Sequence, residues 1–214
     1  MTRGKFITLE GPEGAGKSTQ AAMLISRLES RGIEVIYTRE PGGTPLGEAI
    51  RGILQYNTAG EPPCPESEVL LFEASRAQLV RRLILPALER GAWVVCDRFA
   101  DSTTAYQGFG RDFPVEMMET LNRFAIGPAT PDMTLLFDIN VSLGLQRCAK
   151  RQNGKPVPFD RIESETLEFH ERVRQGYLEL ARRHPDRFRK IDAMRPVNEV
   201  ADAVWEAVSH AFFA

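Results

Sequence analysis

The run GPEGAGKST, Gly11 to Thr19, has the spacing G-x-x-x-x-G-K-[ST]. Residues of these types at this spacing can grip a polyphosphate. Gly11, Gly14 and Gly16 permit tight backbone conformations that side chains would block, so the loop can wrap phosphates with its N–H groups turned inward at a helix N-terminus. Lys17 would neutralise the β- and γ-phosphates, and Ser18 would supply a hydroxyl to Mg²⁺. Glu13, Ala15 and Thr19 complete the loop. The pattern implies ATP or GTP but leaves the fate of the phosphate open.

Three absences narrow that fate. No Asn is followed by Lys, and no Asp by Gly three places on, so the guanine reader and switch of a GTPase are missing. The apolar run Trp93-Val94-Val95-Cys96 ends in Asp97-Arg98. A hydrolytic motor usually carries a water-activating glutamate after the Mg²⁺-facing aspartate; here a cation follows instead. At 214 residues the chain is also short for a motor with coupling domains. An aspartate that helps hold Mg²⁺, beside an arginine that can hold a second phosphate, suits transfer between two bound phosphates. Arg39, in TREPGGT, is a second such arginine, and the rigid guanidinium fork makes paired hydrogen bonds to phosphate. Two arginines at strand ends beside a phosphate loop point to a nucleoside monophosphate as acceptor.

Alternating elements must position these residues. Strand patterns are expected at Phe6–Leu9, Ile33–Tyr37, Trp93–Asp97, Met133–Ile139 and Phe188–Ile191. Pro41-Gly42-Gly43 breaks the chain, and helical patterns fall at Ser18–Arg31, after that break to about Leu54, Glu66–Arg90, Val115–Ile126, Ser142–Arg151, Glu163–His184 and from Val197 onward. Pro86 should kink the long helix near its end. Asn57–Pro65 and Gln152–Pro158 read as loops, and Ser102–Gly110 as a polar connection. This alternation predicts an α/β fold with a doubly wound parallel sheet flanked by helices, in one domain over residues 1–214. Ligands in such a sheet sit beyond the carboxyl ends of the strands, where the glycine loop, Arg39 and Asp97-Arg98 all lie.

Composition sets outer bounds. A net charge of −2 argues against a nucleic-acid footprint. Cys64, Cys96 and Cys148 form no C-x-x-C pair and read as reduced thiols of a cytoplasmic protein; His170, His184 and His210 are scattered. No apolar run long enough for a membrane span is expected.

Taken together, GPEGAGKST, TREPGGT, DRF with DSTTAYQG, and DRIE resemble the bacterial thymidylate kinases, through essentially the whole chain. The resemblance implies a P-loop kinase fold, a homodimer, and transfer of the γ-phosphate of ATP to dTMP with Mg²⁺. It also implies roles. Lys17, Arg98 and Arg151 would act on the transferred phosphate, with Arg39 and Arg98 clamping the acceptor phosphate. Asp97 and Ser18 would stand on the Mg²⁺ side, and Glu13 would meet the sugar 3′-OH. Phe72 would stack on thymine and Arg76 would donate to a thymine carbonyl, with Thr103 and Gln107 lining the base. Tyr106 would pack under the sugar. Phe72 and Arg76 are four apart and so share one helix face, although a helical phenylalanine is also ordinary core.

Some relatives carry an arginine at the place of Gly14; this chain does not, so positive charge must come from elsewhere. A mobile lid at about residues 147–161 is the expected source, with Arg147 on ATP and Arg151 on the transferred phosphate. It looks longer than compact bacterial versions by Lys155 to Phe159. Arg161, beside Asp160, could instead be held in a structural pair. Two other readings stand beside the leading one. One is a P-loop kinase for another nucleotide or small metabolite. The other is a non-catalytic ATP-binding regulator, for which an acceptor clamp has no use. Helices around Glu48–Leu54 and Glu66–Arg82 are the expected dimer faces.

Overall fold

The computed structural model describes residues 2–56, 58–152, 161, 162 and 164–213, with Arg151 and Gln152 described by backbone alone. Five parallel strands, β1 (Phe6–Glu10), β2 (Val35–Arg39), β3 (Trp93–Asp97), β4 (Met133–Asp138) and β5 (Phe188–Asp192), form one sheet in the order β2-β3-β1-β4-β5. All five expected strands are present. The order puts β1 at the centre, so the loop after it emerges at mid-sheet. β2 and β3 pair in register with Arg39 opposite Asp97, which brings these two strand ends side by side.

Alternate residues of the central strands feed different cores. Ile7, Leu9, Val95, Leu135 and Phe137 pack on α1 (Lys17–Glu29) and α9 (Val197–Phe212). Phe6, Val94 and Cys96 pack with Leu79, Val80, Ile84 and Leu88 on the opposite face. Burial on both faces is why these strands read as continuous apolar runs. The only hydroxyls between β1 and β4, Thr8 and Thr134, bond to each other at 2.9 Å.

The remaining helices are α2 (Pro45–Tyr56), α3 (Pro65–Leu79), α4 (Leu85–Glu89), α5 (Ala100–Thr103), α6 (Val115–Ile126), α7 (Val141–Gln152) and α8 (Leu167–Arg183). Two expectations need correction. The long helix does not simply kink at Pro86. A π-helical segment, Val80–Ile84, joins α3 to α4, and the Leu85 N–H donates to the Val80 carbonyl five residues back. The wider turn lies directly before the proline, whose missing N–H already interrupts the regular ladder. Secondly, Ser102–Gly110 is not a polar connection. α5 runs into a second π-helical segment, Thr104–Gly110, almost wholly buried and closed by the Arg111 N–H on the Tyr106 carbonyl. α8 starts at Leu167 rather than at 163, because Thr166 caps it by accepting from the Phe169 N–H.

Candidate active site

The glycine loop bridges β1 and α1 in a form that only glycine allows at two places. At Gly11, with φ +141°, an added Cβ would lie 2.4 Å from the Phe137 carbonyl oxygen; at Gly14, with φ +69°, it would lie 2.0 Å from that of Gly144. α7 therefore closes position 14 to any side chain, which explains physically why no arginine stands there. The Lys17 ammonium folds back on the loop and donates to the Gly11 and Pro12 carbonyls, both at 3.0 Å. Burial lowers its pKa, and the nearby Arg98 lowers it further. Ser18 Oγ donates to Asp97 Oδ2 at 2.7 Å, joining the head of α1 to the end of β3.

Beside the loop opens a cleft of about 290 Å³. Its lining joins Glu13 to Thr19 and Asp97 with Arg39, Phe72, Arg76, Arg98, Thr103, Tyr106 and Gln107. Thus the donor loop and the acceptor residues expected from sequence meet in one cavity, Gly11 lying just behind it. Arg98 holds the junction. It adopts the left-handed conformation, φ 67°, which turns its side chain back across the loop. Its guanidinium donates to Glu13 Oε1 at 2.6 Å, to the Gly11 carbonyl at 3.1 Å and to the Tyr177 hydroxyl at 3.2 Å. It lies 4.9 Å from the centre of the Tyr106 ring.

Glu13 also accepts from the Tyr106 hydroxyl at 2.7 Å. Burial alone would raise its carboxyl, but Arg98 and Lys17 outweigh burial and hold it down at about 2. A carboxyl whose folded value lies below its ordinary 4.5 stabilises the fold above that ordinary value, and the contribution is lost as pH falls towards 2. Glu13→Gln is therefore expected to lower stability at pH 7 by on the order of 2–3 kcal/mol. Urea denaturation across pH should show the gap between mutant and wild type narrowing from about pH 5 downward.

The clamp and the base end differ in freedom. Arg39 is exposed and rests on Glu48, at 2.9 and 3.1 Å. Arg76 is 1% exposed, with its N–H groups held by Glu40, Glu73, Asn122, Thr103 and the Phe99 carbonyl. In this arrangement it fixes Thr103 on the cleft wall rather than presenting an idle donor. Phe72 is half-buried at the edge of a core cluster that includes Tyr106 and Tyr177.

Several lining residues had no role expected of them: Tyr37, Glu40, Arg51, Gln55, Ser102 and Ile162. Of these, Glu40 lies within TREPGGT, Ser102 within DSTTAYQG and Ile162 within DRIE, and membership of those motifs was the available cue. Burial pushes the Glu40 carboxyl up to about 7, against the pull of Arg76. Behind Arg98 lies another unforeseen group. Glu10, at 0% exposure, accepts from the Phe99 N–H (2.7 Å), Ser102 Oγ (2.6 Å) and Tyr177 (2.9 Å), and is pushed up to about 7 by burial and by Asp101.

The expected lid is only partly in view. Arg147 donates to the Ala193 carbonyl at 3.1 Å, and neither residue lines the cleft. The Arg151 side chain and the stretch Lys155 to Phe159, with Asp160, lie outside the described residues. Arg161 is in a structural pair, with Glu68, and donates to the Leu54 carbonyl at 3.3 Å.

A family model described as thymidylate kinase matches residues 9–204. A thymidylate kinase of Deinococcus radiodurans is 51% identical over 209 residues, 98% of each chain. One of Desulfosudis oleivorans is 52% identical over 198 residues, 92% of each. The crystal structure of thymidylate kinase from Ehrlichia chaffeensis superposes with a TM-score of 0.76 at 32% identity, covering 97% of this chain and 99% of that one.

Proposed function

The chain belongs to the thymidylate kinase family, and from that premise we propose how its cleft carries the γ-phosphate of ATP to dTMP, giving dTDP and ADP. The observation that carries the reading is a single cavity lined both by the phosphate loop and by Phe72, Thr103, Tyr106 and Gln107. ATP sits with its phosphates in the loop of Gly11 to Thr19. The acceptor phosphate rests between Arg39 and Arg98, and the base lies against Phe72. Because Arg98 already touches both the Gly11 carbonyl and Glu13, it stands where the two phosphates meet.

Ser18 Oγ and the Asp97 carboxylate offer two hard oxygen ligands 2.7 Å apart, a donor set that suits Mg²⁺. When bound there, the ion would neutralise charge on the phosphate oxygens. The chain's own residues do the rest: the loop N–H groups and Lys17 hold the donor, and the arginines hold the acceptor and exclude water by filling the junction. A non-catalytic regulator has no need for the acceptor half of this cleft.

The functional unit is a homodimer. Leu46 on α2, Leu70 on α3, and Met117 and Phe124 on α6 are exposed, Phe124 at 83%, and α3 packs on both α2 and α6, so these apolar side chains belong to adjoining helices. Cys64 and Cys96 are in no disulfide, in keeping with work in the cytoplasm. No described helix is long and apolar enough to cross a membrane.

The test is ADP formation with Mg-ATP and a panel of nucleoside monophosphates. dTMP is expected to lead. Tyr106 lies beneath the position proposed for the sugar, with its hydroxyl already taken by Glu13. A ribose 2′-OH would meet the ring without a polar partner, so dTMP should be preferred over its ribose counterpart by about ten- to a hundredfold in kcat/KM. Tyr106→Ala should shrink that gap by admitting the ribonucleotide. Equal loss on both substrates would mark the ring as packing only, and a wild type that favours AMP, CMP or GMP would refute the base assignment.

A further inference from the structure

Glu68, on α3, is 1% exposed and stands behind the base end of the cleft. Its Oε1 accepts from Gln107 Nε2 at 2.9 Å and from Arg111 Nε at 2.8 Å. Its Oε2 accepts from Arg111 Nη2 at 3.3 Å and from Arg161 Nη2. Burial alone would raise this carboxyl, but the donors from Arg111, Arg161 and Gln107 hold it below its ordinary value, so it is an anion with acceptors only.

A primary amide has a donating end and an accepting end. Against an acceptor-only neighbour, Gln107 must turn its nitrogen inward. The carbonyl oxygen is then the end left to a ligand, since Gln107 also lines the cleft. The orientation follows from the charge of Glu68.

We infer that Glu68 is a specificity-determining positioning residue: by fixing the amide of Gln107, it offers the base a carbonyl acceptor, which suits a pyrimidine with an N3–H and rejects one whose N3 is a lone pair. Thymine carries that hydrogen. Cytosine does not, and would set its N3 lone pair against the carbonyl. The inference rests on the proposed reading that Gln107 faces the base.

The experiment compares kcat/KM for dTMP and dCMP in wild type, Glu68→Gln, Glu68→Asp and Gln107→Met. A glutamine at 68 can donate as well as accept, so the Gln107 amide is free to take either orientation. The dTMP/dCMP ratio is expected to fall at least about tenfold in Glu68→Gln, with the KM for dTMP rising more than kcat falls. Glu68→Asp stays acceptor-only and should keep the ratio within about threefold of wild type, even with a lower Tm. An equal loss on both substrates in Glu68→Gln overturns the inference, because that is what lost packing alone would do.

Removing a buried charge partner of two arginines can unfold a protein, so a wild-type measurement stands beside the variants. The Gln107 side-chain NH₂ signals, assigned by their absence in Gln107→Met, are expected to exchange slowly with and without dTMP. Exchange at the rate of a free amide overturns the inference. The underlying reading fails differently: Gln107→Met with wild-type kcat/KM for dTMP would mean that Gln107 does not meet the base at all.

Discussion

Lys17→Ala is expected to abolish phosphoryl transfer while the chain still folds. The lysine is the loop's only side-chain cation, and charge shifts over the β- and γ-phosphates as the bond to the departing group breaks. Losing a preorganised cation there should raise the barrier by several kcal/mol, roughly a thousandfold or more in kcat. The ligand-free structure adds a smaller second effect. The ammonium bonds the Gly11 and Pro12 carbonyls, and its removal loses both bonds although Arg98 still donates to Gly11, at a cost of about 1–3 kcal/mol in stability. Part of that is returned, because Arg98 no longer faces a like charge. Turnover near the wild-type rate, in a mutant whose circular dichroism is native, would sink the assignment of the loop.

Arg98→Ala should raise the KM for dTMP and lower kcat, with ATP affinity little changed. A charged donor to the acceptor phosphate is worth on the order of 1.5–3 kcal/mol, so kcat/KM should fall by at least about tenfold and up to about a hundredfold. The structure predicts a companion effect on stability, since Glu13 would lose its guanidinium partner and keep the Tyr106 hydroxyl with the charges of Lys17 and His170. Replacement by lysine should not rescue: one ammonium cannot reach Glu13, the Gly11 carbonyl and Tyr177 at once. Titration with unreactive analogues separates the two sites. Collapse of ATP affinity with dTMP affinity intact would mean that Arg98 belongs to the donor side.

Much of this was legible in the residues, for physical reasons that also mark the limit. The strands β1, β3 and β4 announce themselves because burial on both faces demands unbroken apolar runs. The loop announces itself because close backbone approach demands glycine at fixed intervals. What stayed hidden depends on tertiary partners. Nothing local says that Arg76 is buried among Glu40, Glu73 and Asn122, since an arginine on a helix looks the same whether it meets water or carboxylates. Glu10 ends a strand like any other acid until Phe99, Ser102 and Tyr177 close over it. The two π-helical segments were missed because their extra residue leaves the local composition unchanged. Thr104–Gly110, read from its polar letters as a connection, is buried because α8 and α6 pack on it.

That second π-helical segment has a consequence for how such a protein can change over time. A π turn amounts to one residue inserted in a helix, and its hydrogen bond from Arg111 to Tyr106 spans five residues instead of four. Deleting a single codon at 104, 105 or 106 would give an ordinary, well-bonded helix. Each side chain beyond the deletion would swing by about 100°. Thr103 would still face the cleft, but Gln107 would be carried off its wall. Drift by substitution can therefore retune this pocket in small steps, whereas loss of one letter would erase base recognition at a stroke, with helical content almost untouched. The count of residues is the inherited constraint here, more than their identity.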